Sequence, residues 1–264
     1  MKLLIAIMTC ARNAEKAGAQ RATWVHDIRS QRSADVLFFR GAPAGDLRLN
    51  SPGYWERNGD EITFFDVDDS YFGIPAKVRA ILRWAYARGY DYVMKCDDDV
   101  YIVPSRFPSL LLGDHDYIGR FRGPHGNYPA HFASGFSYWL SERAMGILSQ
   151  SENKDWMDER FVANRLAMEG IFGYNDPVSY KVCGPTVSAK EILKRKTLAD
   201  GTVFCEYTAH QQAELHALLR HLPPVTGHPG LRQVPKVNIT QAQFDAAPTD
   251  KPPVHKIEKY LRKI

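Results

Sequence analysis

The sequence has no long hydrophobic run, no closely paired cysteines and no strong charge of either sign, and each absence narrows what it can be. No stretch approaches the roughly 20 apolar residues of a membrane-spanning helix. The apolar run Leu3 to Met8 is too brief for a signal peptide, and polar Thr9-Cys10-Ala11-Arg12-Asn13 follows it without a cleavage site. It therefore reads as a first β-strand. Cys10, Cys96, Cys183 and Cys205 contain no CxxC pair, which argues against a zinc knuckle and gives no disulfide framework. A reducing, cytoplasmic setting is the expectation. The net charge of +4 is mild and its residues are interspersed, so a nucleic-acid function is not called for. An anionic small molecule or an anionic membrane surface stays compatible. No internal repeat is found.

What is present is a chain of 264 residues with 44% hydrophobic and 12% aromatic content, enough for a sizeable core. Leu3 to Met8 and Val36 to Phe39 read as buried strands, and Ala14 to Ser30 is long enough for a crossover helix between them. The clearest helix follows. Pro75 suits its first turn, Ile74, Val78, Ile81, Leu82 and Ala85 share a face, and Gly89 is placed to end it. Further strands are expected at Tyr117 to Arg120, Phe136 to Leu140 and Val203 to Tyr207, with helices at Asp158 to Glu169 and around Leu215 to Leu222. From residue 223 to 264 prolines punctuate what reads as an irregular tail. Its last residues, Ile257, Tyr260, Leu261 and Ile264 among Lys256, Lys259, Arg262 and Lys263, have the spacing of a short basic amphipathic segment.

The most informative stretch is Asp97-Asp98-Asp99, set between the β-prone runs Tyr92-Val93-Met94 and Val100-Tyr101-Ile102-Val103. Adjacent carboxylates repel, and burial disfavours their charge, so a hard divalent cation with oxygen ligands accounts for them well. At the end of a strand in an α/β sheet such a pair is placed to hold a diphosphate. A solvated turn is the competing reading. Trp24 and Trp84 read as core, and Trp156 as the tryptophan better placed to stack on a sugar face.

Four blocks in order over residues 21 to 141 resemble glycosyltransferase family 31, the β-1,3-galactosyltransferase and Fringe-like enzymes. They are Arg21-Ala22-Thr23-Trp24; Asp69-Ser70-Tyr71 with Lys77; Lys95 to Val100; and Tyr128-Pro129 followed by Ser134-Gly135 and Tyr138 to Ser141. A departure falls at Asp158-Glu159-Arg160-Phe161-Val162-Ala163, where the family's acidic pair is reversed in type and its glycine replaced.

The resemblance implies a GT-A fold, a Rossmann-like mixed central sheet flanked by helices, filling residues 1–222. It implies an inverting, metal-dependent transfer of a hexose, whether galactose, glucose or an N-acetylhexosamine, from a UDP-sugar to a glycan or glycoconjugate acceptor. Mn²⁺ or another divalent cation would be held by Asp97 and Asp99, with His210 as a third ligand. Asp97 would also face the ribose or uridine side of the donor, with Asp98 at the donor site but partly structural. Thr9, Arg12 and Arg21 are candidate nucleotide contacts, Arg12 by position alone. Asp69 and Lys77 either touch the nucleotide or form a structural pair. Glu159 takes the base position with Asp158 beside it, although acidic residues in a first helical turn also serve capping and the helix dipole. Without the membrane anchor of the family's Golgi members, the chain resembles a soluble bacterial or viral relative in the cytoplasm, touching membranes peripherally at most. Two other classes stay open: a non-catalytic GT-A-like domain binding glycan or nucleotide, and a metal-dependent phosphohydrolase.

Overall fold

The computed structural model describes residues 1–110, 113–124, 130–152, 157–182, 187–195, 200–225 and 230–245. The chain opens with β1 (Leu3–Met8), α1 (Ala14–Ala22), α2 (Trp24–Ser30) and β2 (Asp35–Ala42). The expected crossover helix is thus two helices. They break at Thr23, whose hydroxyl donates to the carbonyl of Ala19 at 2.7 Å and diverts the chain. A hairpin of β3 (Trp55–Asn58) and β4 (Glu61–Asp68), not expected from sequence, precedes α3 (Ile74–Tyr86) and β5 (Tyr92–Asp97). Next come β6 (Tyr101–Ile102), β7 (Tyr117–Arg122), β8 (Phe132–Ser141), α4 (Glu142–Gln150) and α5 (Asp158–Met168). The described chain closes with β9 (Tyr174–Asn175), β10 (Tyr180–Val182), α6 (Ala189–Lys194), β11 (Val203–Cys205), α7 (Ala209–Leu219), β12 (Arg232–Gln233) and α8 (Gln241–Asp245).

Among the described residues nine strands form one mixed sheet in the order β12-β9-β7-β8-β5-β1-β2-β4-β3. Strands β5, β1, β2 and β4 run parallel, and β8 pairs antiparallel with both β5 and β7. Strand β1 is buried on both faces, as parallel strands require. Leu4 and Ala6 pack with Val78 and Ile81 of α3 and Phe161 of α5, whereas Ile5 and Ile7 pack with Trp24 and Val25 of α2 and Leu215 of α7. The clearest apolar stripe on the sheet is that of α3, formed by Val78, Ile81, Leu82 and Ala85.

The connection from β1 runs out to β2, and α3 returns the chain to β5 on the other side of β1. The sheet therefore has its topological switch point between β1 and β5, where crevices form at the strands' carboxyl ends. Met8 and Asp97 are paired there. The second apolar run, Val100 to Val103, leaves this sheet. It supplies β6 to a separate sheet of three strands with β10 and β11, so the triple aspartate is the corner between two sheets.

The boundary read at residue 223 needs correction. β12 joins the main sheet against β9, Val234 and Ile239 are buried, and Phe244 of α8 packs on Phe161. Residues 230–245 thus belong to the folded body. The basic amphipathic segment lies outside the described residues.

Candidate active site

The aspartate corner is built by β1, β5 and two helices. Asp98 turns inward and is 5% exposed, its carboxylate accepting from the Thr9 hydroxyl at 2.8 Å and the Asn13 amide at 3.2 Å. Burial raises its pKa while these two bonds lower it. The side-chain amide of Gln20 donates to the carbonyls of Asp97 and Val100, that of Gln212 to the carbonyl of Asp98, and the Trp24 indole to Val100. The backbone amide of Tyr207 bonds to the Asp99 carbonyl at 3.0 Å. Thr9 and Asp98 brace the turn, the partly structural part expected of Asp98. What remains open is the pair Asp97 and Asp99, both partly exposed.

Burial and mutual repulsion disfavour charge on that pair. The Asp97 carboxyl is pushed up to about 7, by burial first and by Asp99, against the pull of Lys95. Burial raises Asp99 to about 6, with Asp98 adding to it, while the ammonium of Lys16 on α1 draws it down. Two oxygen-bearing side chains that resist ionising together, at the edge of a sheet, have the chemistry that would suit a hard divalent cation.

His210, expected as a third ligand, is exposed at the second residue of α7, behind a cap in which Thr208 and Gln211 bond reciprocally. Among the described residues no three His, Cys, Asp or Glu side chains converge on one point.

Three residues expected at the nucleotide make internal bonds. Arg21 is bound to Asp60 at 3.0 Å and to Glu61 at 3.3 Å, and its guanidinium lies 3.8 Å from the centre of the Phe38 ring. Asp69 accepts from the amides of Ala11 and Gly41, and from the ammonium of Lys77 at 2.9 Å. Lys77 is 2% exposed and donates also to the Thr9 carbonyl. The Asp69–Lys77 pair therefore ties the ends of β1 and β2 to α3, the framework role that was one of its two expected readings. Glycine at 41 and 73 permits this approach, because a Cβ would lie 2.5 Å from the Val67 carbonyl oxygen or 1.8 Å from that of Asp68. Arg12 is exposed on the turn after β1.

Alternation along β5 turns Lys95 and Asp97 toward the face that α5 covers. Lys95 is buried, and its ammonium donates to the Asp97 carboxylate at 2.5 Å and to the carbonyl of Gly135 in β8. Burial opposes its charge, yet Asp97, Asp158 and Glu159 together raise its pKa. Directly across the strands, Tyr138 pairs with Lys95 and donates its hydroxyl to Asp158 at 3.0 Å. Asp158 in turn shares a hydrogen bond with Glu159, whose carboxyl is pushed up to about 8 by burial and by the charge of Asp158. Glu159 is partly exposed, and it is the first-turn residue that reaches solvent while Asp158 is 5% exposed.

Sequence reasoning missed Asn13, Lys16, Gln20 and Gln212, and gave Tyr138 a place in a motif block but no role. Gln20 and Gln212, both 0% exposed, are polar residues facing inward from helices that otherwise bury apolar groups. That mismatch was the available signal. Trp24 and Trp84 lie in the core as expected, whereas Trp156 and the Tyr128-Pro129 block lie outside the described residues.

Compared with known proteins, the galactosyltransferase family model matches residues 16–123. A probable β-1,3-galactosyltransferase 13 of Arabidopsis thaliana is 24% identical over 128 residues, covering 45% of this chain and 37% of the relative's length. Among solved structures, a glycosyltransferase involved in the glycosylation of the major capsid of PBCV-1 superposes over 81% of this chain and 99% of its own, with TM-score 0.50 and 12% identity. Galactosyltransferase LgtC, solved in complex with donor and acceptor sugar analogues, covers 83% of this chain and 97% of its own at 12% identity and TM-score 0.45.

Proposed function

We propose that this chain is a GT31-like glycosyltransferase that moves a hexose from a UDP-sugar to a glycan hydroxyl with inversion at the anomeric carbon, a reading supported by the family match over residues 16–123 and by the likeness in fold. One observation carries the reading. The Lys95 ammonium bonds to Asp97 on the strand that ends in the aspartate corner and to Gly135 beside Glu159. A carboxylate suited to the donor side and one suited to the acceptor side thus flank a single buried cation.

The donor diphosphate fits the crevice at the carboxyl ends of β1 and β5. Asp97 and Asp99 would hold a divalent cation such as Mn²⁺, which when bound counters the charge of the diphosphate and of the departing UDP. Lys16, in the first turn of α1, adds positive charge at the same edge. Glu159 takes the proton of the acceptor hydroxyl as its oxygen bonds to the anomeric carbon. The bond from that carbon to the UDP oxygen breaks, and its electron pair leaves with UDP. An α-linked donor then gives a β-linked product. Asp158, held by Tyr138, orients Glu159 through their shared hydrogen bond.

The test is a screen of UDP-galactose, UDP-glucose and UDP-N-acetylglucosamine, with Mn²⁺ and with EDTA, following free sugar and UDP. Metal-dependent donor cleavage supports the reading, and equal cleavage in EDTA counts against the cation. Release of phosphate without sugar transfer would indicate a phosphohydrolase, and UDP binding without turnover of any donor a binding domain.

No helix among the described residues is long and apolar enough to cross a membrane. The reading needs none, since both proposed substrates are met at the sheet edge.

A further inference from the structure

Strand β8 is buried along its whole length except at one residue, Gly135. That opening faces the candidate base. A Cβ placed on Gly135 would lie 3.4 Å from Cδ and Oε2 of Glu159 and 3.5 Å from Oε1, and these are its three nearest atoms. The backbone does not demand glycine here, because Gly135 is not among the residues with positive φ. Nor does packing demand it, since 3.4 Å is ordinary contact, unlike the backbone clashes at Gly41 and Gly73. The peptide is fixed on both sides nonetheless. The Gly135 carbonyl is held by Lys95, and the preceding Ser134 hydroxyl accepts from Arg122 at 3.0 Å.

We infer that Gly135 is the acceptor window, a bare stretch of backbone across which a saccharide hydroxyl reaches the Glu159 carboxylate with the edge of its ring against the glycine. A hydroxyl delivering its proton must come within about 2.6–3.2 Å of a carboxylate oxygen. An alanine methyl at van der Waals contact with all three carboxyl atoms would occupy much of that approach. Water is small enough to enter beside a methyl group, whereas a pyranose ring is not. This inference rests on Glu159 as the base.

The experiment compares Gly135→Ala and Gly135→Val with the wild type, using the UDP-sugar that the screen finds to be cleaved. Water and methyl β-galactoside are the two acceptors, and UDP affinity is measured by calorimetry. Gly135→Ala should lower the ratio of transfer to hydrolysis at least tenfold, and Gly135→Val should lower hydrolysis itself at least tenfold with UDP affinity within twofold. Gly18→Ala, an exposed site on α1 where a Cβ meets nothing within 4 Å, should leave the ratio unchanged. An unchanged ratio in Gly135→Ala, or wild-type hydrolysis in Gly135→Val, overturns the window; where water is the sole acceptor used, the valine variant decides alone. If Glu159→Gln keeps full transfer, it is the assignment of the base that fails, whatever the glycine variants do.

Discussion

At the scale of single residues, Glu159 is where stability and the proposed chemistry oppose each other. Its carboxyl is raised to about 8 by burial and by Asp158, so near neutral pH most molecules carry it protonated. A protonated carboxyl cannot accept a proton, and transfer should therefore climb with pH along a limb centred near 8. A rate that is flat between pH 6 and 9 would show that another group is the base. Because the folded pKa lies above the ordinary value of 4.5, the folded state holds the proton more tightly than the unfolded chain. That contribution is complete below 4.5 and is lost as pH rises through about 8. Glu159→Gln, which cannot ionise, should accordingly lose transfer while keeping UDP affinity, and its melting temperature should exceed that of the wild type at pH 9. Both effects can be read from one preparation by assay, calorimetry and thermal melts. Arg21 provides a contrast. Its half-buried contacts to Asp60 and Glu61 predict that Arg21→Ala costs about 0.2–1 kcal/mol of stability, measured by urea titration, with UDP affinity unchanged. A tenfold weaker UDP complex would return Arg21 to the nucleotide.

At the scale of elements, the ends of β1 and β2 are locked to α3 before any ligand arrives. Lys77 in α3 reaches past Asp69 to the end of β1, and Asp69 accepts from backbone amides at the ends of β1 and β2. Removing one member of such a buried pair leaves the other charge without compensation. Lys77→Met should cost about 3–5 kcal/mol in a denaturant titration. Asp69→Asn with Lys77→Met together should recover part of that loss, and a double variant no better than the single one would contradict the account. The helix α5 is set in the same way, by the bond from Tyr138 to Asp158 across the sheet face. Tyr138→Phe leaves Asp158 short of a donor, and an expected cost of about 1–3 kcal/mol follows. The same change loosens Glu159, so kcat should fall more than UDP affinity.

At the scale of the whole molecule, the described body reaches to residue 245, and the sheet edge beyond β9 is closed by chain that follows residue 230. Val234 and Ile239 are each 8% exposed. Burying two such side chains is worth about 3–6 kcal/mol in all. A truncation after residue 222 should therefore melt well below the full chain, whereas one after residue 245 keeps these contacts and should stay close to it; equal melting of the two would show that residues 230–245 add nothing. A divalent cation bound as proposed would act on the same global balance. Asp97 and Asp99 carry raised pKa values of about 7 and 6, so Mn²⁺ should raise the melting temperature more at pH 8, where both are ionised, than at pH 5. A shift that does not depend on pH would place the ion elsewhere.

The sequence by itself determined the strands and helices whose pattern is local. Leu3–Met8 is fully legible because a doubly buried parallel strand is a continuous apolar run, and α3 is legible because its stripe has helical spacing between Pro75 and Gly89. The motif order also identified the aspartate corner and the acidic first turn of α5. What sequence left open was which polar groups face a ligand and which hold the framework, since an aspartate, an arginine or a lysine has the same letter in either role. Only the fold assigned Asp98, Asp69, Lys77 and Arg21 to internal bonds, because their partners lie between 8 and 89 residues away along the chain. Tertiary structure likewise decided that Val100 to Val103 crosses into a second sheet and that Arg232–Gln233 closes the first. Short strands of two residues carry no periodicity to read, and their place is set by the partner edge that pairs with them.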